Sequence, residues 1–262
     1  MRWCRFEAKG KPTYGIVEGN TVQPVSGDPF TRHRKNGKPV PLESVKLMTP
    51  VFPPTFYAVG HLNYRDHITH LKEIIGREGQ VPTKPEIGYR AQSALVASDQ
   101  PIRVPHDASE RIQYEGELCA VIGKEGKHVS KERAAEYILG YTICNDFSDR
   151  VWQTSDTGMW RSKNADTFKP LGPWIETDLD VDAARTVIRI NGRETDNFKT
   201  GNMVFGVAEC IEKLTQYVTI RPGDIITMGT DGVPSNVKHG DLIEIEITGL
   251  GILRNQVLRE EV

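Results

Sequence analysis

The chain has 262 residues, 38% of them hydrophobic and 26% charged, enough to bury one sizeable core unaided and unlike a disordered polymer. Lys and Arg total 33 against 35 Asp and Glu, a formal net charge of -2, so no basic excess exists to hold a phosphate backbone, which excludes nucleic acid as a partner. No apolar run approaches the ~20 residues that span a membrane, and the four cysteines (Cys4, Cys119, Cys144, Cys210) form no CxxC pair; with no apolar signal core in residues 1–10, this points to a reducing, cytoplasmic setting.

Residues 3–8 and 14–18 alternate in character between Gly and Pro, and a polar stretch rich in turn formers covers residues 28–41, which predicts a small strand-rich lobe. Pro50, Pro53 and Pro54 follow. Proline fixes φ and removes a backbone donor, so this cluster reads as a stiff connector and divides the chain into residues 1–54 and 55–262. A predicted strand at 56–60 leads into residues 63–76, where His67, His70, Leu71, Ile74 and Ile75 recur at helical spacing. Residues 79–85 show no periodicity and read as a surface loop.

From residue 102 onward short β-rich runs dominate, at 118–122, 137–144, 187–190, 225–228 and 242–247. Helical patterns interrupt them at 131–137 and 203–217, the second with Val207, Ile211 and Leu214 on one face. The expected fold class is α+β, mainly β, with covering helices.

Tyr114-Glu115-Gly116-Glu117-Leu118 opens one of the most apolar stretches of the chain. A strand has a side-chain period of two, so Glu115 and Glu117 share a face. In an arbitrary strand such a pair is usually a solvated edge. Leading into a buried strand, two carboxylates repel each other and resist desolvation unless a proton or a cation compensates them. Asp146 ends another apolar run, Tyr141-Thr142-Ile143-Cys144-Asn145-Asp146. Three monodentate carboxylates around Mg2+ would leave coordination positions open for a chelating substrate.

Several segments together resemble the fumarylacetoacetate hydrolase family. Tyr114-Glu115-Gly116-Glu117-Leu118 is similar to its first metal motif and Gly140-Tyr141-Thr142-Ile143-Cys144-Asn145-Asp146-Phe147-Ser148-Asp149-Arg150 to its second. Ser162-Lys163-Asn164-Ala165-Asp166-Thr167-Phe168 with Pro170-Leu171-Gly172-Pro173-Trp174 is similar to its lysine segment. Pro222-Gly223-Asp224, Gly229-Thr230, Gly240-Asp241 and Gly249-Leu250-Gly251 complete the set in the family's order, over about residues 56–255.

The resemblance implies a mixed β-roll or β-sandwich catalytic domain, a homodimer, and Mg2+ or Mn2+, with Ca2+ as a substitute, held by Glu115, Glu117 and Asp146. It implies a small anionic 2-oxo acid substrate that chelates the metal, with Lys163 directed at the substrate oxygens. Tyr64, Arg150, Gln153 and Thr230 are assigned to the substrate by analogy, although Lys163, Arg150 and Gln153 are also residue types found in purely structural roles. After Thr230 the family commonly has proline, whereas Asp231 follows here; its charge would oppose an anionic ligand.

Asn63-Tyr64-Arg65-Asp66-His67 resembles the segment whose histidine is the general base, which makes His67 the candidate base. In hydrolytic members a glutamate three residues later orients that histidine; here the position is His70, with Glu73 a further three along. His70 and Glu73 are therefore candidate catalytic partners of His67 in a helical relay, or exposed polar residues. The segment Gly60-His61-Leu62-Asn63 carries one residue more than the family's spacing, and His61 has the same two readings. The leading functional expectation is hydrolytic C-C cleavage of a 2,4-dioxo acid of the acylpyruvate or maleylpyruvate type. A histidine at position 70 cannot supply an anion to an imidazolium, which favours the alternative, decarboxylation or tautomerisation of a 2-oxo dicarboxylate such as oxaloacetate. A third reading is a 2-oxo acid binding protein without turnover.

Overall fold

The computed structural model describes residues 1–60 and 62–261, so His61 lies outside the described residues. Strands β1 (Arg2–Ala8), β2 (Lys11–Glu18) and β3 (Thr21–Ser26) form an antiparallel meander. Cys4 and Phe6, two apart on β1, meet Val17 and Val22 in a small core, while Trp3 on the other face joins a second one. Arg2 and Trp3 pair with Glu176 and Ile175, which welds the first residues onto the edge of the larger sheet.

The longer members of that sheet are continued, in chain order, by β4 (Phe56–Val59), β5 (Ile87–Tyr89), β6 (Gly116–Ile122), β7 (Ile138–Asn145), β8 (Lys169–Glu176) and β9 (Ile225–Thr227), with the short strands Arg34–Lys35, Val40–Pro41, Leu47–Met48 and Leu95–Ala97 paired alongside. Its spatial order is β3-β2-β1-β8-β7-β6-β9-β4-β5. All seven residues of β6 are buried, as expected for a central strand covered on both faces. The period of two decides what each side chain meets: Leu118, Ala120 and Ile122 join the main core with Ile188, Ile245 and Leu253, while Cys119 and Val121 face a second core with Cys144, Leu171 and Ile175. Ile188, Ile245 and Leu253 belong to a second sheet formed by Ile102–Val104, Gly251–Arg259, Leu242–Ile247, Arg185–Ile190 and Arg193–Lys199, in that spatial order. The architecture is mainly β, with the expected strands present within a residue or two.

The run expected as one helix at 63–76 is two short ones, α1 (Arg65–Thr69) and α2 (Leu71–Ile75), interrupted at His70 (φ -94°, ψ 5°). There the His70 ring Nδ1 and its backbone N–H both turn to the Asp66 carbonyl, at 2.8 and 3.2 Å, a side-chain bond that competes with helix continuation. Gly76 closes α2 in the left-handed region (φ 75°). Two more short helices follow, α3 (Arg150–Ser155) and α4 (Trp160–Asn164), and then α5 (Val207–Thr215), which packs Val207, Cys210, Ile211 and Leu214 against the core. Residues Lys131–Tyr137 form a 3-10 helix rather than an α-helix. Among the described residues no helix is long and apolar enough to cross a membrane, and all four cysteines are free and buried.

Candidate active site

The sheet topology gathers the site. β6 runs antiparallel to both β7 and β9, so the start of β6 (Glu115, Glu117), the end of β7 (Asp146) and the turn after β9 (Gly229, Thr230) meet at one end of the sheet. β9 is parallel to β4, so the chain leaving β4 emerges at the same end and supplies α1 and α2 as a roof. Two contacts lock the metal motifs together: the Asn145 side chain accepts from Glu115 N at 2.9 Å, and Asp146 N donates to Glu115 O at 2.9 Å. Gly116 between the glutamates faces the second sheet, where a Cβ would sit 2.8 Å from Ile188 Cδ1 and 2.9 Å from Ile245 Cγ2. The Glu-Gly-Glu pattern therefore has a physical reason. The carboxylates turn to the site while the residue between them must be small for the sheets to approach.

Glu115, Glu117 and Asp146 are buried, with carboxylate oxygens within 4.8 Å of one another. Four cations surround them. Arg150 Nη2 donates to Glu115 Oε1 at 2.7 Å, while its Nε and Nη1 are held by Gln113 and Gln153 at 2.7 and 2.8 Å. Lys163 Nζ contacts Glu115 Oε2 and lies 2.8 Å from Asp146 Oδ2. Lys169 Nζ is 2.9 Å from Asp146 Oδ1. Arg90 grips both oxygens of Asp146, Nε at 2.9 Å and Nη2 at 2.8 Å. Asp149 caps α3 by accepting from Val151 N and Trp152 N, which aims Arg150 and Gln153, three apart on one face, into the site.

Charge is unevenly shared among the carboxylates. Burial raises Glu115, but Arg150 and Lys163 outweigh it and hold the group at about 2. Burial is likewise outweighed at Asp146, where Arg90, Lys163 and Lys169 keep the carboxyl well below the usual range. Glu117 differs. Among the described residues it has no cationic side chain at ion-pair distance, only the Gly229 amide at 2.9 Å on Oε2. Burial, Asp146 and Glu115 push it up to about 8. A buried carboxylate lacking a counter-cation beside two ionised ones is what a divalent-cation site of hard oxygen donors presents, and the three residues fit Mg2+ or Mn2+.

His67, on α1, is buried beside this cluster. Its Nδ1 lies 2.9 Å from the Gly232 carbonyl, which can only accept, so Nδ1 carries the hydrogen and Nε2 keeps a free lone pair. Burial lowers its pKa, with Glu115 and the Gly232 bond opposing. Asp231 does not turn its charge toward the cavity. Its Oδ1 accepts from His67 N and Gly232 N, both at 3.0 Å, so the residue expected to oppose an anion instead clamps the helix that bears His67.

The cavity measures about 20 Å3 and is lined by the carboxylates, His67, Arg90, Arg150, Gln153, Lys163 and Thr230 under an apolar roof of Leu71, Ile74 and Ile75. That volume holds a water or a bare cation and is smaller than a 2-oxo acid. Three expected site residues are not brought to the cavity. Tyr64 is fully buried with its hydroxyl donating to Thr200 O at 2.6 Å, and beside it the Asn63 side chain bonds Phe205 and Met228 backbone; the pair anchors the roof. The break at His70 turns that ring to Asp66 and leaves Glu73 exposed, so the helical relay onto His67 is not formed. Arg90, Lys169 and the Gly232 carbonyl were not expected. A lysine opening the buried strand β8 was a signal of the same kind as Glu115 and Glu117; Arg90 follows an irregular stretch and carried none.

Residues 55–258 match the family described as fumarylacetoacetate (FAA) hydrolase C-terminal, and residues 1–50 match one described as Rv2993c-like, N-terminal. Protein Rv2993c of Mycobacterium tuberculosis is 37% identical over 271 residues, covering 99% of each chain. The oxaloacetate tautomerase fahd2, mitochondrial, of Xenopus laevis is 35% identical over 227 residues, 82% of this chain and 69% of that protein. Among solved structures, 5-carboxymethyl-2-hydroxymuconate delta-isomerase from Mycobacterium smegmatis aligns with a TM-score of 0.89 at 33% identity, over 99% of this chain and 100% of that one.

Proposed function

The chain belongs to the fumarylacetoacetate hydrolase family, and from that premise we propose that it is a metal-dependent tautomerase that interconverts the enol and keto forms of a 2-oxo dicarboxylate such as oxaloacetate. The observation that carries this reading is the partner of His67. A backbone carbonyl fixes the ring's tautomer and direction but supplies no anion, so His67 is equipped to pass a proton and lacks the support that a hydrolytic base receives while it holds an imidazolium through water attack. A relative named as an oxaloacetate tautomerase and a structural neighbour named as an isomerase lend support.

Glu115, Glu117 and Asp146 would hold a divalent cation, which supplies Lewis acidity toward the oxygens of a 2-oxo acid. His67 Nε2 takes or returns the proton at carbon 3, the position between the oxo group and the second carboxylate. Lys163 is near enough to the ligand oxygens to donate to the oxygen on carbon 2, where negative charge develops as the carbon 3 proton leaves. The apolar roof of Leu71, Ile74 and Ile75 excludes bulk water when closed, which protects an enol from side reactions.

The test is the ultraviolet decay of enol oxaloacetate with purified protein and Mg2+ or Mn2+, alongside assays for CO2 and for cleavage of acetylpyruvate. Faster ketonisation without CO2, abolished by His67→Gln, is the expected result. Cleavage of acetylpyruvate with no effect on ketonisation would replace this reading with hydrolysis.

A further inference from the structure

Arg90 differs from the other cations of the site in how it is held. Lys169 comes from the central strand β8, and its Nζ is also bonded to the Phe147 and Phe168 carbonyls at 2.9 Å each. Arg150 spends all three guanidinium nitrogens on Gln113, Gln153 and Glu115. Lys163 bridges two of the candidate ligands. Arg90 instead follows β5, a short strand at one edge of the sheet, and two of its guanidinium bonds go to one group, the Asp146 carboxylate; the remaining one is Nη1 to Tyr89 O at 3.1 Å.

Asp146 thus carries three cations, and a divalent ion on the three carboxylates would compete for the same lone pairs while repelling the guanidinium. Arg90 already lines the cavity. A guanidinium fork matches a carboxylate in two parallel bonds, which is how it now holds Asp146. We infer that metal loading displaces Arg90 from Asp146 and that the freed guanidinium receives the distal carboxylate of the substrate, which selects dicarboxylates over monocarboxylates. Arg90 would then be a specificity-determining residue. This inference rests on the proposed 2-oxo dicarboxylate reading, but its geometry does not depend on which bond the enzyme makes or breaks.

Calorimetry tests both halves without turnover. Mn2+ is titrated into the wild-type protein, Arg90→Gln and Arg90→Lys; lactate and malate, 2-hydroxy acids with one and two carboxylates, are then titrated into each Mn2+-loaded protein. Removing one positive charge at short range should tighten Mn2+ binding by Arg90→Gln about tenfold. Malate should bind the wild type about tenfold or more tighter than lactate; Arg90→Gln should lose that preference and Arg90→Lys should keep part of it. Mn2+ affinity equal to or weaker than wild type in Arg90→Gln overturns the displacement. No malate preference in the wild type, or an unreduced one in both variants, overturns the capture. If Arg90→Gln does not fold, Arg90→Met, which also removes the charge, replaces it in the Mn2+ titration, and Arg90→Lys, which keeps the charge and loses the fork, decides the capture. A protein that prefers malate through Arg90 yet leaves oxaloacetate unchanged strikes the tautomerase reading alone.

Discussion

Replacing Asp231 by alanine isolates the clamp on the catalytic helix. Asp231 Oδ1 is the acceptor for His67 N and Gly232 N, both at 3.0 Å, and its removal leaves two amides unpartnered at the junction of α1 with the turn that carries the His67 acceptor. Hydrogen bonds to a charged group are worth about 1.5–3 kcal/mol each. Taking about 2 kcal/mol for the pair after water re-enters, the docking equilibrium constant of α1 falls roughly 30-fold. Because His67 Nε2 is placed by that docking, kcat for enol ketonisation should fall by a comparable factor while metal affinity is unchanged. Asp231→Asn keeps an oxygen acceptor for both amides and should stay within about threefold of wild type. Hydrogen exchange at residues 65–70 should quicken in the alanine variant and not in the asparagine one. If both variants lose activity alike, charge rather than geometry is at work; if neither does, the clamp plays no part.

Glu117, pushed up to about 8 by burial and its carboxylate neighbours, holds a proton at neutral pH that a metal must displace. Mn2+ binding at pH 7 should therefore release close to one proton, seen as a dependence of calorimetric heat on buffer ionisation enthalpy, and none well above pH 8; the same heat in all buffers at pH 7 would contradict this. His67 runs in the opposite sense: burial lowers it below the ordinary 6.5, so the neutral base persists below that pH, activity is lost only as pH falls through the lowered value, and a bound cation lowers it further. An acidic limb of kcat centred above 6.5 would contradict that. Gly116→Ala drives a Cβ to 2.8 Å from Ile188, which should cost about 1–3 kcal/mol and lower Tm by several degrees; an unchanged Tm would show that the two sheets can part without penalty.

The carboxylate triad was legible because strand alternation and the apolar runs after Glu115 and before Asp146 are local patterns. Lys163 and His67 were legible through the resemblance of short segments. What remained hidden is tertiary. The partner of His67 is a carbonyl, which no residue letter announces, and it is brought there by a turn 165 residues away. Asp231 was misread in sign, since charge alone does not tell which way a carboxylate turns when two amides stand beside it. The helical spacing over 63–76 was real, but the period cannot show that the His70 ring bonds back to Asp66 and breaks the relay. The small N-terminal lobe of residues 1–54 was legible in the composition shift at the prolines; what composition does not show is the β1–β8 pairing, which links residues more than 170 apart.

The burial of His67 and its carbonyl partner bear jointly on the chemistry. Hydrolysis needs a base that carries an added proton through the step. Here the imidazole is held in a buried setting that resists cationic charge. A proton shuttle needs less: the ring takes a proton from one form and gives it back to the other, with charge gathered on the oxygen near Lys163. Burial that disfavours an imidazolium shortens the life of the protonated ring and speeds its return of the proton, an advantage in tautomerisation and a handicap in water activation.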